Sequence, residues 1–182
     1  LKKDDKKFFF DQGYIVKDRI IGADWIAKLN AAIEKLVDQS RQLTQSDGTF
    51  DLEPNHTAES PRLRRISFLD DLHPVFWDFC KNSNLPDIAA DLFGPNIRFR
   101  ECMINIKWSD GGAEVKWHQD IPFYPMTNSS VAQHLVCLKD VGMEQGPLQV
   151  VPGSHKQTLH DHYDENDNWL GYIPDATLKN AN

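Results

Sequence analysis

Cysteine is scarce in this chain: Cys80, Cys102 and Cys137 are three thiols in 182 residues, far apart and without a CxxC pair. An odd, scattered set excludes a disulfide framework and a cysteine-based zinc knuckle, and fits reduced, partly buried thiols of a cytoplasmic protein. Long apolar runs are missing too. Nothing approaches the roughly 20 residues of a membrane-spanning helix, and Phe8-Phe9-Phe10 is too short to anchor the chain. Positive charge is in deficit, with 20 Lys and Arg against 27 Asp and Glu and a net charge of -7. Arg62-Leu63-Arg64-Arg65 is the one basic cluster, so the balance argues against a nucleic-acid partner. A G-x-S-x-G elbow and a Gly-rich phosphate loop are absent, and Ser154 merely adjoins His155 in sequence, so Ser/His/Asp catalysis is not favoured. The first residue is Leu1 and the tail is Lys179-Asn180-Ala181-Asn182, so both ends read as cut from a longer polypeptide.

What is present has the 40% hydrophobic and 26% charged composition of one ordinary globular domain. Residues 2–12 read as a short helix whose Phe residues dock on the domain, and 14–16 as a short strand. From Asp24 a helix runs to about Arg41, with Ile26, Leu29, Ile33, Leu36 and Val37 spaced three and four apart on one stripe. Residues 44–61 are a polar loop, and 66–68 a strand. Pro74 opens a helix through Cys80, and a further helix from Pro86 to Phe93 stops at Gly94-Pro95. From Ile97 the character turns to strand runs at 97–108, 115–119, 131–138 and 148–151, parted by Gly, Pro and Asn turns. Helices followed by strands predict an α+β or mainly β domain.

Trp117-His118-Gln119-Asp120 carries the chemistry. In a strand, alternate residues share a face, so His118 and Asp120 project side by side. An imidazole and a carboxylate so placed supply two ligands of the 2-His-1-carboxylate triad that holds non-haem Fe(II). The apolar and aromatic run Ile121-Pro122-Phe123-Tyr124-Pro125 would shape a dry pocket beside them. His155, after Pro152-Gly153-Ser154, reads first as a turn histidine bonded to backbone and second as a ligand. His160 and His162 lie among Asp164, Glu165, Asn166, Asp167 and Asn168, and read as a solvated loop. His56 and His73 read as structural or exposed, and His134 as a core histidine or a pocket wall. Lys107 and the Arg64-Arg65 pair are cations able to hold a dicarboxylate or an acidic substrate.

Taken in order, Gly13-Tyr14-Ile15-Val16, Phe93-Gly94-Pro95-Asn96-Ile97, Met103-Ile104-Asn105-Ile106-Lys107, Trp117-His118-Gln119-Asp120 and Gly146-Pro147-Leu148 form a set of landmarks. With Val151-Pro152-Gly153-Ser154-His155-Lys156, they resemble the phytanoyl-CoA dioxygenase family of Fe(II)/2-oxoglutarate-dependent oxygenases over nearly the whole chain. The resemblance implies a double-stranded β-helix, a cupin-like jelly roll, within a single incomplete domain over 1–182. Residues 1–95 would be mostly helical support, and 96–182 jelly-roll strands and loop, with the last core strands missing. It assigns His118 and Asp120 as iron ligands, places Met103, Gln119 and Arg65 at the 2-oxoglutarate, and does not promote His155 to a ligand. A third ligating His and a 2-oxoglutarate-binding Arg would fall in a C-terminal stretch that this chain does not reach. Some members carry Trp where Leu135 stands here. The implied activity is hydroxylation of a small organic or acyl-type molecule, with O2 as co-substrate and succinate and CO2 as co-products. The carboxylate of Asp120 favours hydroxylation over the halogenation of relatives that lack it. A non-catalytic jelly-roll relative, and a cupin-type metalloenzyme without 2-oxoglutarate that recruits His155, His160 or His162, are the alternatives.

Overall fold

The computed structural model describes residues 1–109, 112, 114–124, 126–128 and 130–180, with the backbone alone at Ala176, Lys179 and Asn180. Helix α1 (Lys3–Gln12) ends where Gly13 adopts φ +84°, a left-handed turn that Gly enters without the Cβ penalty. Phe9 of α1 meets Phe93 edge-to-face at 6.0 Å, and Lys6 pairs with Asp91 at 2.7 Å, so this helix docks as the sequence suggests. Phe8 and Phe10 remain exposed. Residues 14–16 form no strand.

Helix α2 (Ala23–Gln39) begins one residue before Asp24, which lies in its first turn rather than at the cap. A carboxylate there still complements the positive end of the helix dipole. Its apolar stripe buries Leu29, Ala32 and Leu36. The next two elements fall where the sequence suggested mostly loop. Strand β1 (Phe50–Leu52) pairs antiparallel with β2 (Leu63–Ile66), with Phe50 opposite Ile66 and Asp51 opposite Arg65. The register slips before Leu52 meets Leu63, which leaves Arg64 as an extra residue. Such a bulge breaks the period of two, and so Leu63 and Ile66, three apart, are both fully buried.

Helix α3 (Leu69–Leu72) leads into α4 (Pro74–Asn82), where Pro74 opens the helix as expected and the His73 ring accepts the Val75 amide hydrogen at 3.3 Å. Helix α5 (Leu85–Phe93) ends at Gly94. Strand β3 (Ile104–Asn105) completes a three-stranded antiparallel sheet of order β1-β2-β3. One core joins these parts: Leu29, Ala32 and Leu36 of α2, Leu63 and Ile66 of β2, Leu69 of α3, and Phe76 and Phe79 of α4. Trp25 packs edge-on to Phe79 at 5.3 Å and seals one end.

Beyond β3 the architecture changes. The runs 115–119, 131–138 and 148–151 read as strands in sequence, yet they form none; of 97–108 only Ile104–Asn105 is strand. A strand exists through hydrogen bonds to a neighbour, and no described segment lies alongside these runs to supply them. They are held by separate contacts instead. Val136 and Leu138 pack on the core, and Asn30 Nδ2 donates to the Leu138 carbonyl at 3.3 Å. Helix α6 (Asp175–Asn180) closes the described chain. The turn expected at 109–112, Pro125 and the last two residues fall wholly or partly outside the described residues. Among those described, no helix is long and apolar enough to cross a membrane.

Candidate functional site

His118 and Asp120 come together as their spacing suggests, Nε2 to Oδ1 at 3.4 Å, although the backbone around them is irregular rather than a strand. The His118 Nδ1–H donates to the Lys116 carbonyl at 2.8 Å. That bond uses up one ring nitrogen and leaves Nε2 facing the carboxylate, the tautomer and aim that a metal-ligating imidazole requires. In the metal-free chain the Asp120 carboxylate raises the His118 pKa above its ordinary value. Burial opposes this, the Lys116 carbonyl adds to it, and the nearby Arg65 charge opposes it.

Arg65 is therefore within electrostatic reach of His118. It projects from β2 opposite Asn105 of β3, and its Nε donates to Asn105 Oδ1 at 3.0 Å. Ile66 and Ile104, the next pair along, face the core, so the sheet turns its apolar side to the helices and Arg65 to the His-x-Asp segment. Met103 directly precedes this pair and is half-buried. The Nε of Arg64, the bulged residue, is buried with no hydrogen-bond partner among the described residues. A buried donor left unpaired costs about 1–3 kcal/mol, which an acceptor from outside the chain would recover. Lys107 instead lies against Gly146.

Gln119 has a different place from the one expected. Its side-chain oxygen accepts the His160 amide hydrogen at 2.7 Å, and its Nε2 donates to the Thr158 carbonyl at 3.4 Å. Its backbone amide donates to His162 Nε2 at 3.0 Å. His162 is buried, not solvated as its polar neighbours suggested. Its Nδ1–H donates to the His160 carbonyl at 2.9 Å, so both ring nitrogens are used. The ring stacks on Trp169 at 5.7 Å and 15°. Phe123 fills the space between, edge-on to His118 at 5.7 Å and to Trp169 at 5.0 Å. A short hairpin makes this possible: Tyr163 bridges Trp169, Leu170 N–H donates to the His162 carbonyl, and Ile173 N–H donates to the Trp117 carbonyl.

The other histidines separate from the site. The His155 ring bonds the Phe10 carbonyl through Nε2 at 3.1 Å, and Gly153 N–H donates to the Gln12 carbonyl at 2.8 Å. The Pro-Gly-Ser-His turn thus clasps the end of α1, and a Cβ on Gly13 would lie 2.4 Å from the His155 ring. His56 is satisfied by the Arg62 backbone and the Ser40 carbonyl, and His134 is exposed.

Sequence reasoning missed His162, Phe123 and Trp169 as a brace, and Tyr124 with Arg100. The Arg100 guanidinium lies 4.3 Å over the Tyr124 ring. Burial, then the charges of Glu101 and Asp120, raise the Tyr124 pKa, opposed by Arg100 and Arg65. The available signal was the cluster of Tyr163, Trp169 and Tyr172 within an otherwise polar run. Among the described residues no group of three or more His, Cys, Asp or Glu is arranged to hold a metal. The donor set does suit one: a neutral imidazole nitrogen and a carboxylate oxygen, adjacent and turned the same way.

These features define a chain with a His-x-carboxylate pair set against an arginine-bearing sheet. The model of the phytanoyl-CoA dioxygenase (PhyH) family matches residues 9–180, and the chain belongs to that family. It is similar to a Stutzerimonas stutzeri protein named "Probable alpha-ketoglutarate-dependent hypophosphite dioxygenase", 25% identical over 87% of this chain and 55% of that protein. The ectoine dioxygenase of Sphingopyxis alaskensis is 30% identical over 85% of this chain and 52% of its own length. The peroxisomal phytanoyl-CoA dioxygenase of Rattus norvegicus is 23% identical over 89% and 50%. The chain thus spans about half the length of these relatives. No solved structure gives a significant match.

Proposed function

We propose that this chain carries the His-x-carboxylate part of the iron site, and one wall of the co-substrate site, of an Fe(II)- and 2-oxoglutarate-dependent oxygenase. The reaction is hydroxylation of a small organic or acyl-type molecule with O2, giving succinate and CO2, within a double-stranded β-helix. His118 and Asp120 would hold the metal, and Arg65 and Met103 would border the 2-oxoglutarate. Bound iron would supply the site for O2 activation. The observation that carries this reading is the His118 ring, tethered through Nδ1 to Lys116 with Nε2 turned to Asp120. The unpaired Nε of Arg64 beside Arg65 supports an anionic co-substrate on this sheet. Gln119, first placed at the co-substrate, instead fixes the backbone between the two ligands through Thr158, His160 and His162. The cupin-type alternative loses support, since His155 and His162 spend their nitrogens on backbone.

Anaerobic titration of the native polypeptide with Fe(II) and 2-oxoglutarate tests the reading. A weak visible charge-transfer band is expected, and its loss in His118→Ala. A folded native protein that gives no band overturns it.

A further inference from the structure

Away from the His-x-Asp segment, two of the three cysteines face each other. Cys80 lies in the last turns of α4 and Cys102 two residues before β3, and one thiol donates a hydrogen bond to the other. Both are half-buried and pack against the core cluster, whereas Cys137 is exposed. Cys102 is fixed on both sides of its backbone: its amide donates to Asp70 Oδ1 at 3.1 Å, and its carbonyl accepts the Leu69 amide hydrogen at 2.9 Å. We propose that Cys80 and Cys102 are a redox modification site, a dithiol that a small peroxide converts to an intramolecular disulfide joining α4 to the approach of β3.

The two thiols are unequal, which sets the order of events. The Cys102 hydrogen bond lowers the Cys80 pKa, against opposition from burial and from the Asp70 charge. The same contact, then burial, pushes the Cys102 thiol up, so Cys102 keeps its proton. Cys80 is the attacking thiolate. Its sulfur takes the distal oxygen of hydrogen peroxide: an S–O bond forms, the O–O bond breaks, and the leaving hydroxide gains a proton to become water. The Cys102 sulfur then attacks the Cys80 sulfenic acid: an S–S bond forms, the S–O bond breaks, and the hydroxyl leaves as a second water with the Cys102 proton. Two thiols have lost two electrons and two protons to one peroxide. The cross-link would tether the chain just ahead of Asn105, the partner of Arg65.

The test is titration of the reduced chain with hydrogen peroxide, followed by thiol counting after denaturation and by peptide mapping. The thiol count is expected to fall from three to one, with a mass loss of about 2 Da, a Cys80–Cys102 cross-linked peptide, and full reversal by dithiothreitol. Cys137→Ser should still form the bridge, and Cys80→Ser should not. Cross-linking through Cys137, oxygen addition at Cys80 without a bridge, or folded protein whose thiols stay unreacted would each overturn the proposal. The mapping of the unmodified sequence decides this even if Cys80→Ser fails to fold, and no step depends on iron.

Discussion

The stretch up to β3 and the stretch after it are held together in different ways. Every member of the main core cluster lies between Leu29 and Phe79, on α2, β2, α3 and α4. The later stretch adds Ile173 and His162 to the buried residues, while Leu135, Met143 and Leu148 stand more than three-fifths exposed. It is fastened by separate polar bonds: Gly153 to Gln12, His155 to Phe10, Asn30 to Leu138, Ile173 to Trp117, and Gln119 to His162. Hydrophobic burial therefore builds the scaffold, and directional hydrogen bonds set the position of His118 and Asp120. The two terms respond differently to substitution. Apolar burial scales with area and tolerates small shifts, whereas a hydrogen bond fails over a few tenths of an ångström.

The sharpest test of that division is Phe76→Ala. Truncating this fully packed ring should cost about 3–5 kcal/mol, read as a lower denaturation midpoint, whereas Leu135→Ala should stay within about 0.5 kcal/mol. Equal costs at the two positions would mean that the apparent difference between the regions is not energetic. His162→Ala comes next. It removes a buried ring with two satisfied nitrogens and strands the Gln119 amide, for a cost of about 1–3 kcal/mol. Fe(II) affinity should fall about tenfold or more, as expected when a group orienting a ligand is lost. His162→Leu keeps the bulk without the acceptor, so retained affinity in that variant would refute the hydrogen-bond role. Gly13→Ala is smaller in stability, roughly 1–2 kcal/mol from its φ of +84° and the close His155 ring. Thermal melts of Gly13→Ala and His155→Ala, singly and together, should be non-additive, because both act on one clasp.

The helices were legible in sequence because their period of 3.6 is a local property. Leu29 and Leu36 announce the buried stripe of α2, and Pro74 and Gly94 mark ends by their own backbone chemistry. Strands are legible only with their partners. Phe50-Asp51-Leu52 alternates, but it is three residues inside a polar run, and its status depends on Ile66 and Arg65 across the ladder. The bulge at Arg64 further hid β2 by burying residues three apart. At the site, His118 and Asp120 were readable from i, i+2 spacing. His162 was misread because a window of Asp and Asn reports local polarity, while its partner, Gln119, lies 43 residues away in sequence.

The smallest effect distinguishes the site from the scaffold by the sign of its pH dependence. The His118 pKa is raised above 6.5, chiefly by the Asp120 carboxylate. In the metal-free chain the pair thus contributes stability that is fully present below the unfolded histidine's pKa and lost as pH rises through the raised folded value. Metal requires the neutral ring, so Fe(II) affinity should run the other way and increase across that same interval. Melting temperature without metal and Co(II) affinity, both measured between about pH 5 and 9, should therefore slope in opposite directions. Asp120→Asn should flatten the first slope by returning His118 toward its ordinary value. Phe76→Ala should shift the whole stability curve down without altering that slope, since no titrating group lies in the contact it removes except His73, whose ring stands edge-on at 6.2 Å. Parallel slopes for stability and affinity would show that the proton and the metal do not compete for Nε2 of His118.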